Sequence, residues 1–120
     1  METLIDWLPR SGALLMFIIG LVGFFKPQAF TAPLQISLDS PVAVAEARTV
    51  FGGLNLGAAL MALLLNQPLV YMTLGVAWLF GLLARLYSLA VDKPGLKAGM
   101  PGIVVDALLS GLFLSGLVLQ

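Results

Sequence analysis

Four long apolar runs, separated by breaks that carry most of the prolines, constrain this chain more than any motif within it. The first runs from Ser11 to Phe25 and closes on Lys26-Pro27, the second lies between Pro41 and Leu65, the third between Leu69 and Val91, and the fourth follows Pro101. A helix rises about 1.5 Å per residue, so roughly 20 apolar residues cross a hydrocarbon core of about 30 Å. Each run is long enough, once the first is counted from Trp7 with Arg10 snorkelling to the interface. The expected fold is all-α: a four-transmembrane-helix bundle with helices over 7–26, 41–65, 69–91 and 101–119, forming a single integral membrane domain over 1–120. The first run has a basic residue ahead of an apolar core, as a secretory signal does. Lys26-Pro27 closes it without a clean small-x-small cleavage site, so it reads as a span.

The breaks have their own chemistry. Ser40 can cap the second helix and Pro41 suits its first position, where the missing N–H is no loss. Asn66-Gln67-Pro68 is a three-residue turn, which makes the second and third helices a tight antiparallel hairpin. Asp92-Lys93-Pro94-Gly95 stops the third helix, and Pro101 is expected to start a fourth that extends to Gln120.

Composition supports a bilayer as solvent. The chain is 60% hydrophobic and 10% charged, with a mean hydropathy of +1.05, against about 45 to 50% and about 25% in soluble domains. Six basic and six acidic residues cancel, and no basic run exists, which argues against nucleic acid as a partner. Cysteine and histidine are both absent, so thiolate, disulfide, zinc and imidazole chemistry is not available from side chains. No cofactor or metal is expected, and the chain does not read as an enzyme, because no nucleophile-base-orienter set appears.

With four spans, the first and third loops share one membrane face and both termini share the other with the Asn66 turn. Lys26, Arg48, Arg85, Lys93 and Lys97 lie toward the loop face, and Arg10 alone toward the termini. The positive-inside rule then places loops 26–40 and 92–100 in the cytoplasm and the termini outside. The two halves also echo each other as two antiparallel hairpins in a parallel pseudo-repeat. Lys-Pro stops the first and third helices, and Pro41 precedes Glu46-Ala47 by the same five residues that separate Pro101 from Asp106-Ala107.

Nine of the twelve charged residues fall on the loop side, and Glu46, Arg48, Arg85 and Asp106 sit inside the spans. A charge at the centre of a membrane helix costs roughly 2.5 to 3.5 kcal/mol on insertion scales, so these residues are expected to face protein or water at similar depth. Arg85, Ser88 and Asp92 make one stripe at i, i+3 and i+7; Arg48, Gly52, Asn55 and Ala59 make another, with Asn55 about 10 Å deeper than Arg48. Glu46, Arg48, Asn55, Arg85, Ser88, Asp92 and Asp106 together form the candidate ligand- or partner-binding set. The plainer reading is structural, since acids early in a helix and an arginine late in one complement the helix dipoles and can pair with each other. Gly52, Gly53, Gly57 and Gly111 are expected to let helix backbones approach, within one chain or at a dimer face. Trp7, Tyr71 and Tyr87 suit membrane interfaces.

Glu46-x-Arg48 followed by Phe51-Gly52-Gly53-Leu54, then Gly81-x-x-x-Arg85-x-x-Ser88-x-x-x-Asp92, resembles the bacterial family called domain of unknown function 4345. The resemblance covers nearly the whole chain and implies a small protein with four transmembrane helices in the bacterial inner membrane, with no assigned activity. Asp106 takes the place of an acidic residue early in the last helix of such proteins, and Lys93 departs from their glycine after the aspartate. Ala47-Arg48-Thr49 to Gly52 is also distantly similar to the sterol-biosynthesis scaffold family typified by ergosterol protein 28, which would imply a non-catalytic tether.

Two functions are expected from these residues. One is a non-enzymatic accessory, scaffold or lipid-binding protein whose partners are membrane lipids, another membrane protein or a second copy of itself. The other is a dimeric small-solute or proton-coupled transporter using Glu46, whose pKa desolvation would raise.

Overall fold

The computed structural model describes residues 4–119. All regular structure among them is helical: α1 Leu4–Phe25, α2 Gln28–Thr31, α3 Pro41–Ala47, a π-helical segment Arg48–Gly53, α4 Leu54–Leu65, α5 Pro68–Val91 and α6 Leu96–Leu119. The π segment joins α3 to α4, so Pro41–Leu65 is one continuous stretch. With Asp6–Phe25, Pro68–Val91 and Leu96–Ser115 it makes four stretches long and apolar enough to cross a membrane. Leu69 and Val42 keep 71% and 70% of their surface exposed, a poor arrangement in water and an ordinary lipid contact in a bilayer.

The local chemistry sets most boundaries. Ser40 has extended backbone and its Oγ accepts from the Ala43 N–H at 3.0 Å, with Pro41 in the first helical position. Asn66 takes a left-handed φ of 47° and Gln67 is extended, which turns the chain before Pro68 opens α5. The connector 26–40 holds a single helical turn, α2, followed by Gln35 at φ 62°; the Ile36 N–H returns to the Thr31 carbonyl at 2.9 Å.

Two expectations need correction. α6 starts at Leu96 rather than at Pro101, because Gly95 at φ 98° reverses the chain and the Gly99 N–H already bonds the Gly95 carbonyl at 3.1 Å. Pro101 thus sits one and a half turns inside α6, where its ring takes a helical φ and forfeits a single backbone bond. Pro9 does the same inside α1. The expected terminus of the last helix at Gln120 lies outside the described residues. The second correction is the π segment, which helical periodicity does not announce. There the Leu54 N–H reaches back five residues to the Thr49 carbonyl, the Thr49 hydroxyl bonds the Ala45 carbonyl at 2.8 Å, and the Asn55 side chain donates to the Phe51 carbonyl at 2.8 Å.

The chain divides into two compact units: residues 13–64, and residues 65 onward together with the chain up to Gly12. Within the first, α1 lies against the π segment and α4 at van der Waals limit through glycine. A Cβ on Gly23 would sit 2.5 Å from the Phe51 carbonyl carbon, one on Gly20 would sit 2.7 Å from the Leu56 nitrogen, and one on Gly52 would overlap the Phe24 backbone. Phe30 stacks on Phe51 at 5.8 Å. In the second unit α5 and α6 form an antiparallel hairpin in which Gly75 receives Leu114 and Gly102 receives the Arg85 side chain. Tyr71 stacks on Phe113 at 6.1 Å, and Leu109 and Phe113 are buried. Of the glycines expected at packing faces, Gly52 is buried in a contact. Gly53, Gly57 and Gly111 would meet nothing within 4 Å if given a Cβ, so they are not contact points within the described chain.

Candidate functional site

The polar residues singled out above fall into two sets, one in each unit. In the α5–α6 hairpin, the Arg85 Nε donates to Asp106 Oδ2 in an ion pair. The two partners differ in burial: the Asp106 side chain is 4% exposed and that of Arg85 40%. Glycines make the pairing possible. The guanidinium lies where a side chain on Gly102 would stand, and a Cβ on Gly81 would reach to 3.9 Å from Asp106 Oδ2. Pairing and hydrogen bonding offset the cost of burying a carboxylate.

The early start of α6 places Asp106 farther along its own helix than Glu46 is along its own. Because α6 starts at Leu96, Asp106 lies ten residues in, about 15 Å along the helix, while Glu46 lies five residues beyond Pro41, or about 7.5 Å. Asp106 is buried and Glu46 exposed, so the two positions that the pseudo-repeat made equivalent occupy different environments. Ser110, also buried, follows one turn deeper and bonds the Ala107 carbonyl at 3.1 Å. Nearer the loop end of α5, the Ser88 hydroxyl donates to Asp92 Oδ2 at 2.6 Å.

In the other unit Arg48 donates through Nη1 to the Phe24 carbonyl. This carbonyl belongs to the last turn of α1, whose final C=O groups have no helical donors, so Arg48 caps α1 and meets the negative end of its dipole. Arg48 therefore does not pair with Glu46, two residues earlier on its own helix, and Glu46 makes no ion pair among the described residues. Asn55 is satisfied by its own helix.

A third group was not singled out from the sequence. Asn66 Oδ1 accepts from the Tyr71 hydroxyl at 2.7 Å and from Arg10 Nε at 3.2 Å, and the Arg10 guanidinium lies 4.8 Å from the centre of the Trp7 ring. The signal was present in the topology, which puts Arg10 and the Asn66 turn on one membrane face. Topology alone does not show that one Asn66 oxygen accepts from both donors.

The sequence profile of a family described as Domain of unknown function (DUF4345) matches residues 8–117. The chain is a DUF4345 protein. The matched stretch contains every residue of the two charged sets, from Glu46 to Asp106, together with Arg10, Asn66 and Tyr71. No curated protein and no solved structure matches this DUF4345 protein, and the tether reading rests on the sequence likeness alone. Among the described residues no group of three or more acidic side chains is placed to hold a metal ion. The α5–α6 arrangement presents a guanidinium held in place by a buried carboxylate, with further N–H donors uncommitted among the described residues.

Proposed function

We propose that this DUF4345 protein is a non-enzymatic integral membrane protein, an accessory or scaffold component that binds a lipid headgroup or another polar group through Arg85 and its neighbours on α5. The observation that supports it most is the asymmetry of the ion pair: Asp106 is buried, while Arg85 is 40% exposed with donors left over. A pair that only balanced charge would hide both partners, since each unsatisfied donor in hydrocarbon is costly. An acceptor from outside the chain satisfies the remainder. In this reading the protein sits in the bacterial inner membrane with loops 26–40 and 92–100 in the cytoplasm and both termini outside, the orientation favoured by Lys26, Lys93 and Lys97 on the loop side against Arg10 on the other.

Purification of the full chain in a mild detergent, followed by identification of what it retains, tests the binding role. A bound lipid or membrane protein is expected, and it is expected to be lost in the Arg85→Gln/Asp106→Asn variant. A lone monomer that retains nothing overturns the reading. A reporter fused after Gln120 that is active only in the cytoplasm overturns the orientation. The transport reading requires Glu46 to be shielded from water so that it can exchange protons. Glu46 is exposed, so that reading needs a second subunit to cover it, and proton-driven uptake in vesicles, abolished by Glu46→Gln, is its test.

A further inference from the structure

Arg85, Ser88 and Asp92 occupy one stripe of α5, from the ion pair outward to the helix end. The cation at the deep end is pinned to Asp106 and against Gly102. The anion at the outer end is steadied by the Ser88 hydroxyl at 2.6 Å, exposed, and without an ion-pair partner among the described residues. Lys93 and Lys97, exposed nearby, form no ion pair with it either. About 10 Å of helix separates the α-carbons of Arg85 and Asp92.

The stripe carries both signs of charge. Arg85 offers donors to an anionic group and Asp92 an acceptor to a cationic one, so a headgroup of one sign uses only half of the stripe. We infer that the stripe seats a zwitterionic aminophospholipid headgroup, with its phosphate on the free donors of Arg85 and its primary ammonium on Asp92. In such a headgroup the phosphate is esterified to the glycerol and lies deeper, and the ammonium follows two carbons farther out. The protein presents its charges in the complementary order, cation deep and anion outer. A primary ammonium has three N–H donors for the carboxylate; a trimethylammonium has none. This inference rests on the headgroup-binding role proposed above and names the headgroup.

Native mass spectrometry of the full chain in mild detergent, mixed with phosphatidylethanolamine, phosphatidylcholine or phosphatidylglycerol of the same acyl chains, tests it. Phosphatidylethanolamine is expected to be retained about fivefold over phosphatidylcholine, the ratio that an exposed ion pair of about 1 kcal/mol provides. Asp92→Asn is expected to bring that ratio to about one without lowering phosphatidylglycerol retention. Arg85→Gln/Asp106→Asn removes the pair without stranding a buried charge and is expected to lower retention of all three, with circular dichroism confirming helix content. A preference for phosphatidylethanolamine that survives Asp92→Asn, equal retention of all three lipids, or best retention of phosphatidylglycerol overturns the assignment of the amine and leaves headgroup binding standing. No retention of any phospholipid by the folded wild-type chain overturns both.

Discussion

The ion pair between α5 and α6 predicts an asymmetric double-mutant cycle. Arg85→Met leaves the Asp106 carboxylate, 4% exposed, as a lone buried charge, and breaking a buried pair in this way costs about 3 to 5 kcal/mol. Asp106→Leu instead leaves Arg85, 40% exposed, which can turn its head toward the interface, so the expected loss is nearer to about 1 to 3 kcal/mol, that of unsatisfied donors. Arg85→Met/Asp106→Leu strands neither charge, and replacing a buried pair by apolar side chains is often neutral. The double variant is therefore expected close to wild type, with a coupling energy above about 2 kcal/mol. Unfolding by sodium dodecyl sulfate in mixed micelles, followed by tryptophan fluorescence, measures it. Trp7 and Trp78, the two tryptophans of the chain, both belong to the unit that contains the pair. A coupling energy indistinguishable from zero, or a greater loss from Asp106→Leu than from Arg85→Met, refutes the reasoning.

Other outcomes follow from the packing and the polar nodes. Gly52→Ala places a methyl group on the Phe24 backbone and is expected to destabilise by several kcal/mol, whereas Gly53→Ala and Gly57→Ala meet open space and are expected neutral or up to about 1 kcal/mol stabilising; the same unfolding assay separates them. Asn55→Leu removes the side-chain donor from the Phe51 carbonyl within the π segment, with an expected loss of about 0.5 to 1.5 kcal/mol and faster amide exchange across 48–53. Asn66→Gly keeps the left-handed turn but removes the oxygen that accepts from the Tyr71 hydroxyl. An expected loss of about 1 to 3 kcal/mol, against little change for a substitution at the neighbouring exposed Gln67, checks that this amide and not the turn carries the effect.

Much of the helix plan was legible because apolar length, a Ser-Pro start and an Asn-Gln-Pro turn are local signals. The start of α6 was not, since Pro101 marks a helix beginning only when nothing upstream can nucleate one, and Gly95 with its positive φ does so five residues earlier. The π segment escaped because no periodicity within 41–65 encodes it; it contains Gly52, whose close approach to the Phe24 backbone is a tertiary contact. Glycine spacing pointed to Gly53 and Gly57, and the contact is made by Gly52, because spacing identifies a stripe and not the side on which a neighbour stands. For the charged residues, type and rough position pointed to partners, and the structure joins Arg85 to Asp106. Arg48 found a carbonyl instead of an acid, an outcome open to any arginine near the frayed end of an apolar helix.

The placement of Asp106 also bears on how the protein enters a membrane. The last helix, taken alone, would carry an ionised carboxylate about 15 Å in from its start and a proline that forfeits one of its bonds, a penalty of roughly 2.5 to 3.5 kcal/mol for the acid alone. The compensating guanidinium is on the preceding helix. Translocation machinery that released the third segment into lipid before the fourth emerged would strand each charge in turn, so the two segments are best delivered together, as a hairpin.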